Sequence, residues 1–223
     1  MASPPTPIAR SLFVFSIFYG GMVCIAGVLG NKQVTLGPLS AIGPWFGLGP
    51  LAVEAGIFAF LLLVTISSAV AELHGRAVAS RLVQVGFLPL IASILLSIVV
   101  LSVPAAGDMD PARRDAFALM MGGTPRIWLG GIIAYGISQT LNVTLFAALK
   151  GREGGSLLWL RAAVASILSQ IADTLLFVSI AFYGVFPIGE LLLGQMLAKV
   201  ALSAILVPPV IYALVALGRR LDR

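Results

Sequence analysis

Only one of the 223 residues is cysteine and one is histidine, and charged residues make up just 10% of the chain. Cys24 alone allows no intramolecular disulfide and no thiolate metal cage. With His74 as the sole imidazole, the chain lacks the ligand set of a zinc or di-iron site, and neither a Ser-His-Asp nor a Cys-His arrangement can be built around a helix-end histidine. Catalytic residues, a metal and a cofactor are therefore not expected, and neither is enzyme activity. Nine acids and fourteen bases give a net charge of +5. The bases gather at the ends of apolar runs and form no stripe along a helix, so nucleic acid is not an expected partner.

Apolar residues make up 59% of the chain, and the mean hydropathy is +1.06. Runs of about twenty apolar residues, long enough to cross a bilayer, recur with short gaps. The expected fold class is all-α, a single polytopic domain over residues 1–223. Six spans are expected, at about 11–29, 55–71, 82–103, 127–149, 157–185 and 188–217. Ser16/Gly20 and Ala26/Gly30 give the first span small residues four apart, suited to close packing. Gly- and Pro-rich Val34–Pro50 reads as an interfacial or re-entrant loop with Trp45 at headgroup depth. Pro104–Pro125 reads as the longest polar loop, and Pro208-Pro209 as a kink or end of the last span. Glu54 is expected to be solvated near an interface, whereas Glu72 is left open, a helix-end salt bridge to Arg76 four residues on being one reading of it.

Six spans place both termini on one side. Arg10, Arg76, Arg81, Lys150, Arg152, Arg161, Arg219, Arg220 and Arg223 fall on that side. The other side holds Lys32, Arg113, Arg114 and Arg126, offset by Asp108, Asp110 and Asp115. The positive-inside rule then makes both termini cytoplasmic.

Inside the spans one phrase occurs twice, IAYGISQTLNVTLF (Ile133–Phe146) and VASILSQIADTLLF (Val164–Phe177). The copies align Ser138 with Ser169, Gln139 with Gln170 and Asn142 with Asp173. At helical spacing Gln139 and Asn142 share a face, as do Gln170 and Asp173. An aspartate at mid-span costs about 2.5–3.5 kcal/mol on insertion scales, so Asp173 is expected to face a partner or a wet cavity, with Lys199 as the candidate partner. Gln195, Lys199 and Ser203 form a polar stripe at i, i+4, i+8. Amides, a carboxylate and an ammonium suit a neutral, planar ligand with several donors, such as a nucleobase. The bland alternative is helix-to-helix hydrogen bonding, worth about 0.6 kcal/mol per contact.

Asn31-Lys32, Glu72-Leu73-His74-Gly75, Pro125-Arg126-Ile127, the two Ser-Gln-x-x-Asn/Asp phrases, Leu158-Trp159-x-Arg161, Lys199, Pro208 and Tyr212 follow one another as in a known family. On these residues the chain resembles the vitamin uptake transporter (VUT) family of queuosine precursor transporters. The resemblance implies a six-helix carrier importing a 7-deazaguanine base for tRNA modification. Its implied substrate-binding residues are Asp173, Gln170, Gln139, Asn142, Lys199, Glu72, Asn31 and Arg126. Asn142 and Ser68 stand where the family usually carries acids. The expected partners are a nucleobase-like small molecule and the lipid bilayer, with a homodimer left open. Two further readings stand beside this one: a substrate-binding membrane subunit of an ATP-driven vitamin importer, and a non-transporting structural membrane protein.

Overall fold

The helices that line the membrane are apolar on the outside, which is the reverse of a water-soluble bundle. In the computed structural model, which describes residues 8–148 and 158–223, α4 (Phe87–Ser102) buries only Leu90 and Ser97. Its Leu88, Leu95, Leu96 and Val99 are all more than half exposed. In water such a face would be a large apolar patch; against lipid it is the favourable arrangement. The remaining helices are α1 (Arg10–Leu29), α2 (Gly56–His74), α3 (Arg76–Val85), α5 (Pro111–Ala148), α6 (Leu158–Phe182) and α7 (Ile188–Leu221). Five stretches among the described residues are long and apolar enough to cross a membrane: α1, α2, α3 with α4, part of α5, and α7. The protein is thus an all-α, polytopic membrane protein by its helices.

The chain runs up and down. Gly130 of α5 lies against Phe177 and Ala181 of α6, while Ser138, further along α5, meets Asp173, earlier on α6. The two helices bearing the repeated phrase are therefore antiparallel. At one end of the bundle α1, α2 and α7 are clamped together. The Ser11 amide and hydroxyl donate to Asp222 at 2.8 and 2.6 Å, and the same hydroxyl lies 2.6 Å from His74 Nε2. The start of α1 and the end of α7 therefore share one end of the bundle.

Between α1 and α2 the chain folds into a small hairpin. Strand β1 (Gln33–Thr35) pairs antiparallel with β2 (Ala52–Glu54), Gln33 opposite Glu54. A 3-10 helix (Gly37–Phe46) occupies the turn and leaves Trp45 exposed. The hairpin is anchored inward: Leu51 and Val53 are buried, and the Gly49 amide donates to Glu190 on α7. The backbone of Ala52 lies against Gly194 of α7, where any side chain would collide with the Ala52 carbonyl.

Several expected boundaries shift. The expected loop of residues 104–125 is helical from Pro111, so the helix that carries the fourth span begins far earlier than residue 127. Pro111 fits the first turn, where its missing N–H is no loss, and Pro125 is accommodated within the helix. Thirty-eight residues make α5 about 57 Å long, against a hydrocarbon core of about 30 Å, so its exposed first turns extend beyond the core. The third span is α4 extended by α3, with the break at Gly86. The second runs on to His74, the fifth ends at Phe182, and α7 passes through Pro208-Pro209 to Leu221. Within Val34–Pro50, expected as an interfacial or re-entrant loop, lie the end of β1 and the 3-10 helix. Close packing of α1 is found at Gly30, against Ile127 and Glu54, and at Gly27, whose Cβ position is filled by the Trp128 ring, whereas Gly20 has open space around it.

Two expected outcomes follow. Gly194→Ala is expected to force β2 off α7 and lower stability by about 1–3 kcal/mol, the usual penalty of overpacking, measurable by thermal melting in detergent. The Ser11 hydroxyl, then its amide, then His74 and Arg10 hold the Asp222 carboxyl below the usual aspartate range. A lowered folded-state value means that the clamp stabilises above the unfolded carboxyl range and is lost as pH falls through the folded one. The difference in melting temperature between wild type and Asp222→Ala is therefore expected to be full at neutral pH and to close on acidification.

Candidate functional site

Asp173, on α6, is met by side chains from two neighbouring helices. Lys199 Nζ of α7 donates to Asp173 Oδ2 at 2.9 Å and to Thr174 Oγ1 at 3.1 Å. From α5, the Ser138 hydroxyl donates to Asp173 Oδ1 at 3.2 Å. Ser138 also lies 3.1 Å from the Tyr135 carbonyl of its own helix, and Thr174 similarly donates to the Gln170 carbonyl. These back-bonds satisfy the small hydroxyls locally. The Asp173 and Lys199 side chains retain 20% and 12% of their exposure. The pair is therefore enclosed but reachable.

It is reached through a cavity of about 420 Å³, within the range of small-molecule sites. Asp173, Gln170, Ser138 and Lys199 form its main polar wall. Aromatic side chains supply much of the rest, among them Tyr19, Phe60, Phe87, Trp128 and Tyr135. The Phe87 and Tyr135 rings lie 5.4 Å apart at 58°, and the Lys199 ammonium sits 5.2 Å above the Phe60 ring. Trp128 is held by donating its indole N–H to the Cys24 carbonyl at 3.2 Å. Flat apolar walls with a carboxylate, an amide and hydroxyls on one side can stack a planar heterocycle and hydrogen-bond its edge.

The expected site residues separate into groups. Asp173, Gln170 and Lys199 come together at the cavity. Gln139 and Asn142 lie on α5, but their side chains fall outside the described residues. Asn31 is at the end of α1, donating to the Gly27 and Val28 carbonyls and, at 2.8 Å, to Thr124. Arg126 ties α5 to the end of α6, donating at 2.6 and 2.9 Å to the Ile180 and Tyr183 carbonyls. Neither lines the cavity. Glu72 is exposed at the far end of α2 and makes no ion pair with Arg76 among the described residues. Gly75, at φ +89°, turns the chain between them and breaks the helical face their spacing assumed.

Glu54 corrects the expectation of a solvated group. It is only 5% exposed, lines the cavity, and accepts a 2.9 Å hydrogen bond from the wholly buried Gln195. The clue in the sequence was the polar stripe Gln195-Lys199, but nothing local to Glu54 showed that the hairpin would fold inward. A double-mutant cycle probes the ion pair. Lys199→Met is expected to destabilise the protein more than Lys199→Met combined with Asp173→Asn, because the single change strands a carboxylate. The coupling energy expected from chemical denaturation is about 1–3 kcal/mol.

Comparison with known proteins places the chain in a family. Residues 54–214 match the family model described as "Putative vitamin uptake transporter". A relative from Bacillus subtilis (strain 168), named "Probable queuosine precursor transporter", is 32% identical over 142 residues. That alignment covers 61% of this chain and 61% of the relative's length. No solved structure matches. The match covers well over half of the chain, including the hairpin's Glu54, both copies of the repeated phrase and Lys199, in a family of transporters rather than enzymes: the chain belongs to the vitamin uptake transporter family.

Proposed function

We propose that this protein is a carrier of the bacterial inner membrane that imports a queuosine precursor, a 7-deazaguanine base, for tRNA modification. The observation that carries the reading is Asp173, a carboxylate presented to an aromatic-walled cavity and held by Lys199. A 7-deazaguanine offers a row of N–H donors on one edge, which a carboxylate pairs with, and a carbonyl that an amide or ammonium can serve. Asp173 accepts the ligand's N–H groups. Gln170, with Gln139 and Asn142 on the facing copy of the phrase, reads the remaining polar edge, and Lys199 moves from Asp173 to the ligand carbonyl. The aromatic walls supply stacking without selecting among substituents.

In this reading the helices make six crossings, with α3 and α4 together forming one. The clamp of Ser11, His74 and Asp222 is at the cytoplasmic end. Arg76, Arg81, Arg219 and Arg220 support that orientation through the positive-inside rule. Asn31 and Arg126, at the opposite end, hold the packing that shapes the path instead of touching the ligand. The name of the Bacillus subtilis relative, a probable queuosine precursor transporter, supports the choice of substrate class.

The test is complementation. Bacteria lacking queuosine synthesis and their own importer, supplied with a low concentration of 7-deazaguanine precursor, are expected to regain queuosine in tRNA when they express this chain. Asp173→Asn is expected to abolish that gain while the protein remains in the membrane at wild-type level. Uptake at the wild-type rate by the Asp173→Asn protein would remove Asp173 from the site.

A further inference from the structure

Glu54 is buried where the hairpin meets the helices, beside polar side chains whose hydrogen bonding is incomplete. Gln195 Nε2 donates to Glu54 Oε1, which leaves Gln195 Oε1 buried without a partner among the described residues. Gln195 is a neutral donor, and Glu54 makes no ion pair among the described residues. Burying a carboxylate without a paired charge is costly, so the arrangement favours the acid. We propose that Glu54 and Gln195 form a proton-binding site, with Glu54 held as the neutral acid in this conformation and its ionisation linked to binding of the base at Asp173.

The surroundings provide for both protonation states. Glu54 lies beside Gly30 of α1 and Gly56 of α2, with Ile127 of α5 close to Gly30, and none of these brings a charge. On β1, Gln33 stands opposite Glu54 in register, so the two side chains share a face of the hairpin. Gln33 Nε2 is a buried donor without a partner among the described residues, ready for a carboxylate. The charged group acting on Glu54 is Lys199, one turn beyond Gln195 on α7, with Asp173 of α6 behind it. Glu190, also on α7, is engaged by the Gly49 amide. Burial pushes the Glu54 carboxyl above the usual range, against the opposing pull of Gln195, the Gly56 amide and Lys199.

The linkage runs through Lys199. With Glu54 protonated, the ammonium belongs wholly to Asp173 and the base must compete for that carboxylate. When Glu54 gives its proton to water in the cavity, the new carboxylate takes the Gln33 donor and draws Lys199 away from Asp173. Asp173 is then open to the ligand's N–H groups. Proton release and base binding therefore promote each other, as linkage requires of two sites sharing one partner. The linkage rests on the transporter reading, but the protonation of Glu54 does not.

Two measurements on the purified full chain keep these apart. In an ester-free detergent, infrared spectra with [13C]glutamate are expected to show a protonated carboxylic acid band at neutral pH that Glu54→Gln removes. Among the other described glutamates Glu72 is exposed and Glu190 half-buried, so the wild-type titration remains informative if the variant does not fold. Absence of the band at neutral pH overturns the proton site. Calorimetry with 7-deazaguanine is expected to show affinity rising with pH in the wild type and staying at the weak, acid-form value in Glu54→Gln. A pH-independent affinity in the wild type overturns the linkage. If 7-deazaguanine fails to bind at any pH, the linkage to that ligand and the substrate assignment both fall, and the infrared result still decides whether Glu54 binds a proton.

Discussion

A carboxylate in the middle of a membrane helix has little freedom: it must find a donor, reach water, or give up its charge. Asp173 has the first two. Lys199 and Ser138 donate to it from helices on either side, and the cavity opens onto it. Because these donors come from α5 and α7, this one carboxylate helps fix how three helices are arranged around the cavity. Partial exposure matters as much as pairing. A pair sealed from the cavity would be structural glue alone, whereas this one is partly exposed to the cavity beside it.

The hairpin between α1 and α2 faces the same constraint by another route. Non-helical backbone at membrane depth is tolerated only where protein or a wet cavity satisfies it. Here the three-residue strands pair with each other, the Ala55 amide donates to the Lys32 carbonyl, and Glu190 receives the Gly49 amide. Glycines make the approach possible. Ala52 passes over Gly194, Trp128 fills the space beside Gly27, and Gly56 leaves room for the Glu54 carboxyl. Close backbone approach through small residues is how helices pack tightly when burial from water contributes little.

Much was legible in the chain itself. Apolar runs of bilayer length gave the helical spans, because each segment must satisfy its own backbone in lipid and only a helix does so alone. The repeated Ser-Gln-x-x-Asn/Asp phrase and the spacing of Gln195 and Lys199 pointed to a polar interior. The Asp173–Lys199 contact follows from the same reasoning, since two lone charges inside neighbouring spans are far more stable together than apart. Charge also misled: the mixed acids and bases of Asp108–Asp115 suggested a loop, but Pro111 starts a helix that tolerates them on its exposed turns.

What the sequence by itself determined was the set of spanning helices and the polar groups that had to be brought together, because lipid penalises every unpaired charge and amide in the same way wherever it lies. Only the tertiary structure decided which groups share the cavity. Glu72 remains outside although its motif is intact, Arg126 and Asn31 serve helix ends, and Glu54 turns inward. The physical reason is that burial of a loop residue depends on where its backbone is carried. Here that was set by Gly194: a missing side chain on α7 lets β2 lie against the helix and bring Glu54 to Gln195.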